Sequence, residues 1–491
     1  MEFPVPDCST LIRGAQVFDG SGQSPHKSDV AIDAGRILAI GDLEDYHAEV
    51  VFDATGKSLA PGFIDAHTHD DLYLLRHPEM LPKLSQGVTT VIVGNCGISG
   101  APVRLRGALP DPMNLLGSTE AFRYPTFASY IDAIRACRPA VNVAAMVGHI
   151  SLRSNHMDRL DRSATPEEIS AMRAQLQEAL VHGALGLSTG LAYLSAHSAK
   201  TEEVSALAEM LTQAGGIYAT HLRSETEQIL PALEEACTIS GDAGVPLVVS
   251  HLKCAGIANW GRSAEVLQWL DHSRSDQPLG WDCYPYAAGS STLDLRQVDE
   301  RVTIRITWSD PHPDQAGKTL AEIAASWGIG HLEAAQRLQP AGAIYHSIAE
   351  EDMRAILRHP ATMIGSDGLP NDPFPHPRLW GTFPRVLGVY CREQKLFPLA
   401  EALRKMTSLP AQRFGLVGRG LIREGYHADL VLFDERTIRD AATFDDPVRP
   451  ATGIDTVWVN GIAAYSGQAA TGCRPGKFLP RTSAASNSID A

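Results

Sequence analysis

Between residues 61 and 370 the chain alternates short apolar, β-branched runs with amphipathic stretches, and most of the apolar runs stop at a polar residue. Phe63-Ile64 leads into His67-Thr68-His69-Asp70-Asp71. Val88–Val93 (VTTVIV) leads into Gly94-Asn95-Cys96-Gly97, and residues 143–147 lead into Gly148-His149. Runs at 184–187, 216–219, 245–249, 281–284 and Thr362–Ile364 predict five further strands. The fifth strand ends at Thr220-His221, the sixth at Ser250-His251 and the eighth at Ser366-Asp367. Helical spacing separates the strands. Thr165 supplies an N-cap, Pro166 the first helical position and Glu167-Glu168 the early acids; Ile169, Met172, Leu176 and Leu180 share a face, and Gly183 stops the helix. Eight strands alternating with helices predict an α/β fold, a (β/α)8 TIM-like barrel.

The two chain ends carry a different pattern. Residues 11–60 read as short strands with a hairpin signal at Asp33-Ala34-Gly35; residues 428–434 and 456–461 are again β-like, with Asn460-Gly461 as a strong turn signal. These ends are expected to pair in one small β domain, its halves at 1–60 and 415–480, flanking a barrel at 61–414. The interval at about 286–343 is too long for an ordinary barrel connection and predicts an inserted subdomain after strand seven. Residues 481–491 have the composition of a disordered tail.

Composition narrows the function. At 491 residues the chain is long enough for two or more domains, and a formal charge of -15 argues against nucleic acid as a partner. No run has the length of a membrane span, and MEFPVPDCSTLIRG has no basic region followed by an apolar core, so neither a membrane nor a secretory route is expected. Eight cysteines without a spacing pattern suit reduced thiols in the cytoplasm. The oligomeric state is not legible.

The polar residues at the strand ends form a pattern. A lone cysteine is commonly a small buried apolar group, and a lone aspartate commonly caps a helix. Together, His67, His69, Cys96, His221, His251 and Asp367 fall at the ends of strands one, two, five, six and eight, the rim where barrels of this kind keep their sites. Thiolate, imidazole and carboxylate are ligands for zinc.

FIDAHTHDD, the two later histidines and the strand-eight aspartate resemble the amidohydrolase superfamily, and GLVGRGLIREGYHADLVLFD resembles its C-terminal β segment. Many members bridge two metals with a carboxylated lysine on strand four, and residues 184–191 contain no lysine. GNCG at strand two, with THLRSE, SHLKCAG and GSDGLP, is instead similar to the N-acyl-D-amino-acid deacylases (D-aminoacylases). The resemblance implies that Cys96, His221 and His251 hold one tight Zn²⁺, and that His67, His69 and Asp367 line a second, weaker site. It implies that Asp367 takes a proton from water and returns it to the leaving amine, the product being a D-amino acid and a carboxylate. It also implies substrate contacts from Lys253, Arg378, Tyr193, Tyr284 and Ser290 or Ser291. Arg296 resembles the side-chain selector of members that prefer N-acyl-D-glutamate; its ordinary reading is a surface arginine. The alternatives are a cyclic-amide hydrolase of the hydantoinase or dihydroorotase kind, which wants the missing lysine, and a metal-free scaffold, which should have lost ligands.

Overall fold

The computed structural model describes residues 7–105 and 107–481. Eight parallel strand positions run through the middle of the chain: Phe63–Asp65, Val88–Val93, Asn142–Ala145 continued by Val147–Gly148, Gly186–Gly190, Ile217–His221, Leu247–Val249, Leu279–Cys283 and Thr362–Ile364. Each pairs with the next in parallel. The ladder is divided between two sheets, one of three strands and one of six, because the third strand is broken between its two segments. Backbone bonds join the first strand to the eighth: Ala66 N–H donates to Ile364 O at 3.3 Å and Asp367 N–H to His67 O at 2.8 Å. Ile64, Ile92, Ala144, Ala219, Val248 and Met363 meet in one buried cluster between the strands. Helices cover the outer faces, Thr165 capping the Pro166–Val181 helix in a capping box with Glu168.

The fourth strand lies at Gly186–Gly190, later than the expected 184–187. Its sequence, GLSTG, reads as a turn, but the fold needs small residues there. A Cβ on Gly186 would stand 1.9 Å from Ile217 O, and one on Gly190 would stand 2.2 Å from Cys96 O.

Both chain ends share one nine-stranded sheet, in which Ser58–Pro61 pairs with Leu430–Phe433. The two turn signals become two-residue hairpin loops with positive φ at both positions, 47° and 79° at Ala34 and Gly35, 48° and 79° at Asn460 and Gly461. The loops pack against each other: a Cβ on Gly461 would lie 2.7 Å from Gly35 Cα. The last segment behaves differently from the expected 415–480 unit. Gly476 N–H bonds to Pro139 O at 2.9 Å and Leu479 N–H to Val143 O at 2.7 Å, so the chain leaves the β sheet and closes against the third parallel strand. Phe478 packs edge-on against Phe127 there. Arg481 N–H bonds to Gly183 O at 2.9 Å, and the rest of the expected tail lies outside the described residues.

Between the seventh and eighth parallel strands, Gly289–Thr292, Ile304–Ser309 and Ala341–Tyr345 form a separate antiparallel sheet. It packs with the helices Leu320–Trp327 and His331–Leu338 around its own apolar cluster, and its last strand runs to Tyr345, past the expected 343. Among the described residues no helix is long and apolar enough to cross a membrane, and all eight cysteines are unpaired thiols.

Candidate active site

The strands deliver their polar ends to one place. His67 and His69 leave the first strand on the same side, Cys96 follows the second, His221 ends the fifth, His251 follows the sixth and Asp367 follows the eighth. All except His221 are buried, and His221 is nearly so. Two groups of potential ligands result, His67/His69/Cys96/Asp367 and Cys96/His221/His251, with donor atoms inside each group within 4.8 Å of one another. Cys96 belongs to both. The sequence placed it in one set only; the structure sets its sulfur between them, 3.2 Å from His67 Nε2 and 3.3 Å from His251 Nε2.

Three of these residues carry backbone strain. Cys96, His251 and Asp367 are non-glycine residues with φ of 53°, 35° and 48°. Such conformations cost of order 1–3 kcal/mol each and persist where the surroundings over-determine them. Gly94 and Gly97, both near φ 77°, bend the chain around Cys96 where a Cβ would strike Met146 O or Gly190 N. Gly-Asn-Cys-Gly is thus a turn that aims one sulfur.

Partners behind the histidines fix which nitrogen faces the centre. His67 Nδ1 lies 3.3 Å from Asp282 Oδ2 and His251 Nδ1 lies 3.0 Å from Glu225 Oε1, leaving both Nε2 atoms toward Cys96. Asp282 Oδ1 also accepts from His251 N–H at 3.0 Å. His221 Nδ1 is buried without a partner. Burial pushes the Cys96 thiol up, but the imidazoles of His67 and His251 and bonds from His221 and His251 outweigh it and hold the group well below the usual thiol range. Burial opposes charge on His251 too, yet Cys96, Glu225 and Asp367 raise it to about 9. The pocket therefore gathers a thiolate, a carboxylate and four imidazoles around one point. A thiolate with imidazoles whose outer nitrogens are already occupied, and one orphaned ring nitrogen, fits a divalent zinc-class ion.

Asp367 faces the centre from the opposite side. Its Oδ1 is 3.1 Å from His69 Nε2 and 3.5 Å from His67 Nε2, and its Oδ2 is 2.8 Å from Arg378 Nη1. Burial pushes this carboxyl up, but Arg378, His251 and the hydrogen bond from His69 hold it well below the ordinary carboxylate range.

Around this centre lie the expected substrate groups. Arg378, buried, sits 4.6 Å over the Tyr284 ring and donates from Nη2 to Ser290 O at 3.0 Å. Lys253 Nζ contacts Glu225 Oε1 at 2.6 Å and His251 Nδ1 at 2.8 Å. Each cation has a carboxylate beside it, Arg378 with Asp367 and Lys253 with Glu225, as a buried charge requires. Three neighbouring polar atoms, Tyr284 OH, Ser290 Oγ and Arg378 Nε, are buried with no hydrogen-bond partner. Tyr193 OH lies 3.4 Å from Ser291 Oγ, and its ring packs against His221 at 4.9 Å. Arg296 stands apart at 49% side-chain exposure, its fork gripped by Asp294 and its Nη2 donating to Ala192 O at 3.0 Å. Arg223, two residues past His221, is tied to Glu235 and to the carbonyls of His197 and Ala199, and belongs to the scaffold.

The amidohydrolase family model matches residues 50–465. The chain belongs to the amidohydrolase family. Three relatives from Alcaligenes xylosoxydans xylosoxydans span nearly the whole of it. It is 49% identical to a D-aminoacylase (96% of this chain, 98% of the relative). It is 48% identical to an N-acyl-D-aspartate deacylase (96% and 94%) and 45% to an N-acyl-D-glutamate deacylase (96% of each). A solved N-acyl-D-glutamate deacylase from Bordetella bronchiseptica, complexed with zinc and a phosphonate mimic of the tetrahedral intermediate, superposes with a TM-score of 0.93 at 43% identity, covering 96% and 99%. A D-aminoacylase structure described by one-metal activation and second-metal attenuation of a binuclear centre gives 0.94 at 48% identity, covering 96% and 100%. In the fourth strand of this amidohydrolase Gly186–Gly190 offers no lysine, and Ser188 Oγ holds the Cys96 turn by accepting from Gly97 N–H at 3.0 Å.

Sequence reasoning missed Glu225, Asp282 and Lys83 in this amidohydrolase site. Glu225 had a local signal, standing four residues after His221 within THLRSE. Asp282 lies inside an apolar run and Lys83 on a short helix, and neither had one.

Proposed function

We propose that this amidohydrolase hydrolyses the amide bond of N-acyl-D-amino acids with zinc, releasing a D-amino acid and a carboxylate. The observation that carries the reading is the juxtaposition of two features. One is a Cys96-centred ligand set; the other, beside it, is a recess of unpartnered buried polar atoms on Tyr284, Ser290 and Arg378. Buried donors without partners cost roughly 1–3 kcal/mol each, and an anionic substrate group would satisfy them together.

The eight parallel strands are read as one (β/α)8 barrel, joined across the first and eighth strands by the Ala66 and Asp367 backbone bonds. Its site-bearing ends form a common rim, the β sheet of the chain ends flanks it, and the insert after strand seven supplies Ser290, Ser291 and Arg296. Cys96, His221 and His251 would hold one tight Zn²⁺; His67, His69 and Asp367, sharing Cys96, would make the second, weaker site. The one-metal activation and second-metal attenuation described for that D-aminoacylase support one activating metal beside a second site. When bound, zinc supplies Lewis-acid polarisation of the scissile carbonyl and charge for the oxygen that becomes anionic.

The chain's own residues do the rest. Lys253, Arg378, Tyr284 and Ser290 bind and orient the amino-acid carboxylate, with Tyr193 and Ser291 closing the side of the recess. Asp367, kept ionised by Arg378 and His69, accepts the proton of the attacking water and passes it to the leaving amine. The unpaired thiols of all eight cysteines support a reducing, cytoplasmic setting. The direct test is product analysis: N-acetyl-D-amino acids should yield equimolar acetate and D-amino acid, with hydantoins and dihydroorotate untouched. Turnover of the cyclic amides alone would replace this reading.

Arg296 is read as the side-chain contact for N-acyl-D-glutamate, with Asp294 holding its fork until a substrate carboxylate takes that place. Arg296→Ala should raise KM for N-acetyl-D-glutamate at least about tenfold and leave N-acetyl-D-leucine within about twofold. Equal effects on both substrates would return Arg296 to the surface arginines.

A further inference from the structure

Lys83 sits on the four-residue helix Leu81–Leu84, and its side chain is wholly buried. Its ammonium reaches four oxygens. Nζ lies 2.8 Å from Asp65 Oδ2, 2.8 Å from Thr68 Oγ1, 3.0 Å from Ser366 Oγ and 3.1 Å from Asp70 Oδ2. Three of those residues belong to the His67/His69 segment, and the fourth immediately precedes Asp367. An ammonium has three donors, so this one is fully engaged and has no part in proton transfer.

The cluster continues through Asp65, the last residue of the first strand. Its Oδ1 accepts from Ser366 N–H at 2.8 Å and from His67 N–H at 3.4 Å, and its Oδ2 accepts from Ser366 Oγ–H at 2.6 Å. Ser366 Oγ in turn accepts from Gly368 N–H at 3.1 Å. The backbone on both sides of Asp367 is thereby pinned, at a residue whose φ of 48° the chain would otherwise relax. Two carboxylates meet here beneath the floor of the site, and Lys83 is the cation between them. Without it, Asp65 and Asp70 would repel each other, and the side-chain bond from the ammonium to Ser366 beside Asp367 would be lost.

We infer that Lys83 is a positioning residue: it locks the end of the first strand to the end of the eighth and so sets the Asp367 carboxylate against the His69 imidazole. The inference rests on the proposed role of Asp367 in proton transfer, and it predicts a particular kind of defect. Displacing a proton-transfer group by about 1 Å costs on the order of 100-fold in rate without changing substrate affinity. The defect should shrink on a substrate whose leaving group needs no proton.

The test compares wild type, Lys83→Met, Lys83→Arg and Ser366→Ala. Ser366→Ala removes the Oγ bonds from Lys83 and to Asp65 at the end of the eighth strand while leaving the buried charges paired, so it reports even if Lys83→Met folds poorly. Rates are taken per folded, zinc-loaded chain on N-acetyl-D-alanine and on its ester analogue, O-acetyl-D-lactate, alongside crystal structures. Lys83→Met is expected to lose about 100-fold in kcat on the amide with KM within about twofold, to lose at least about fivefold less on the ester, and to retain its tight zinc. Ser366→Ala should show the same pattern at about tenfold, and Lys83→Arg should restore part of the rate. In the crystals the Asp367–His69 contact of 3.1 Å should be lost. A carboxylate that stays within about 0.5 Å of its wild-type place, or equal losses on amide and ester, would overturn the inference and leave Lys83 a fold staple. If wild type itself hydrolyses no N-acyl-D-amino acid, the functional reading fails, and the crystal comparison still decides the positioning claim.

Discussion

Asp367→Asn is expected to cut kcat by about 10²–10⁴-fold while the protein keeps its tight zinc. Asparagine matches the shape of aspartate, and its carbonyl oxygen can still meet His69 Nε2, now at 3.1 Å from Oδ1. What it cannot do is take a proton from water or return one to an amine. The carboxylate is well suited to the first task because Arg378 stands 2.8 Å from it and holds it ionised despite burial. An amine is a poor leaving group without protonation, so losing the second task alone would stall breakdown. The check is steady-state turnover with metal content measured on the same sample. A variant within about threefold of wild type would remove Asp367 from proton transfer.

Cys96→Ala should cost still more. Cys96 belongs to both ligand groups, so its removal damages the tight site and the weaker one together. Loss of an outer-shell partner typically costs 10–100-fold in metal affinity, and loss of the shared thiolate should exceed that, to well beyond about 100-fold. The variant should emerge nearly zinc-free after dialysis against a mild chelator, with activity undetectable. In cobalt-loaded wild type a thiolate-to-metal charge-transfer band is expected, and it should vanish in the variant. Full zinc retention with activity would sink the ligand assignment. The helices and apolar cluster between the strands do not depend on Cys96, so the melting temperature of the metal-free proteins should differ little.

Much of this arrangement was readable in the chain because a repeating strand–loop–helix unit turns sequence position into place. Once His67, Cys96, His221, His251 and Asp367 are each found at the end of an apolar run, their convergence follows. The limits were equally physical. The fourth strand was misplaced because Gly186 and Gly190 are required by close backbone contacts that no hydropathy pattern reports. The pairing of Lys253 with Glu225 and of Arg378 with Asp367 was not readable, because those carboxylates approach through the fold. Lys83 was invisible for the same reason: one of its partners, Ser366, is 283 residues away in sequence. The final segment was assigned to the β sheet by continuity, whereas Gly476 and Leu479 find their backbone partners at Pro139 and Val143.

Of the three full-length relatives, at 49%, 48% and 45% identity, the first is named for no particular side chain, the second for D-aspartate and the third for D-glutamate, so overall similarity does not choose among them. In the proposed reading that choice falls to Arg296, held by Asp294.

The most direct test of the central claim is turnover of paired N-acetyl-D- and N-acetyl-L-amino acids, with zinc counted on the same protein. Hydrolysis of the D series alone is expected, by chains holding about one tight zinc each. Hydrolysis of the L series at a comparable rate, or undiminished D-series turnover by the zinc-free protein, would contradict it.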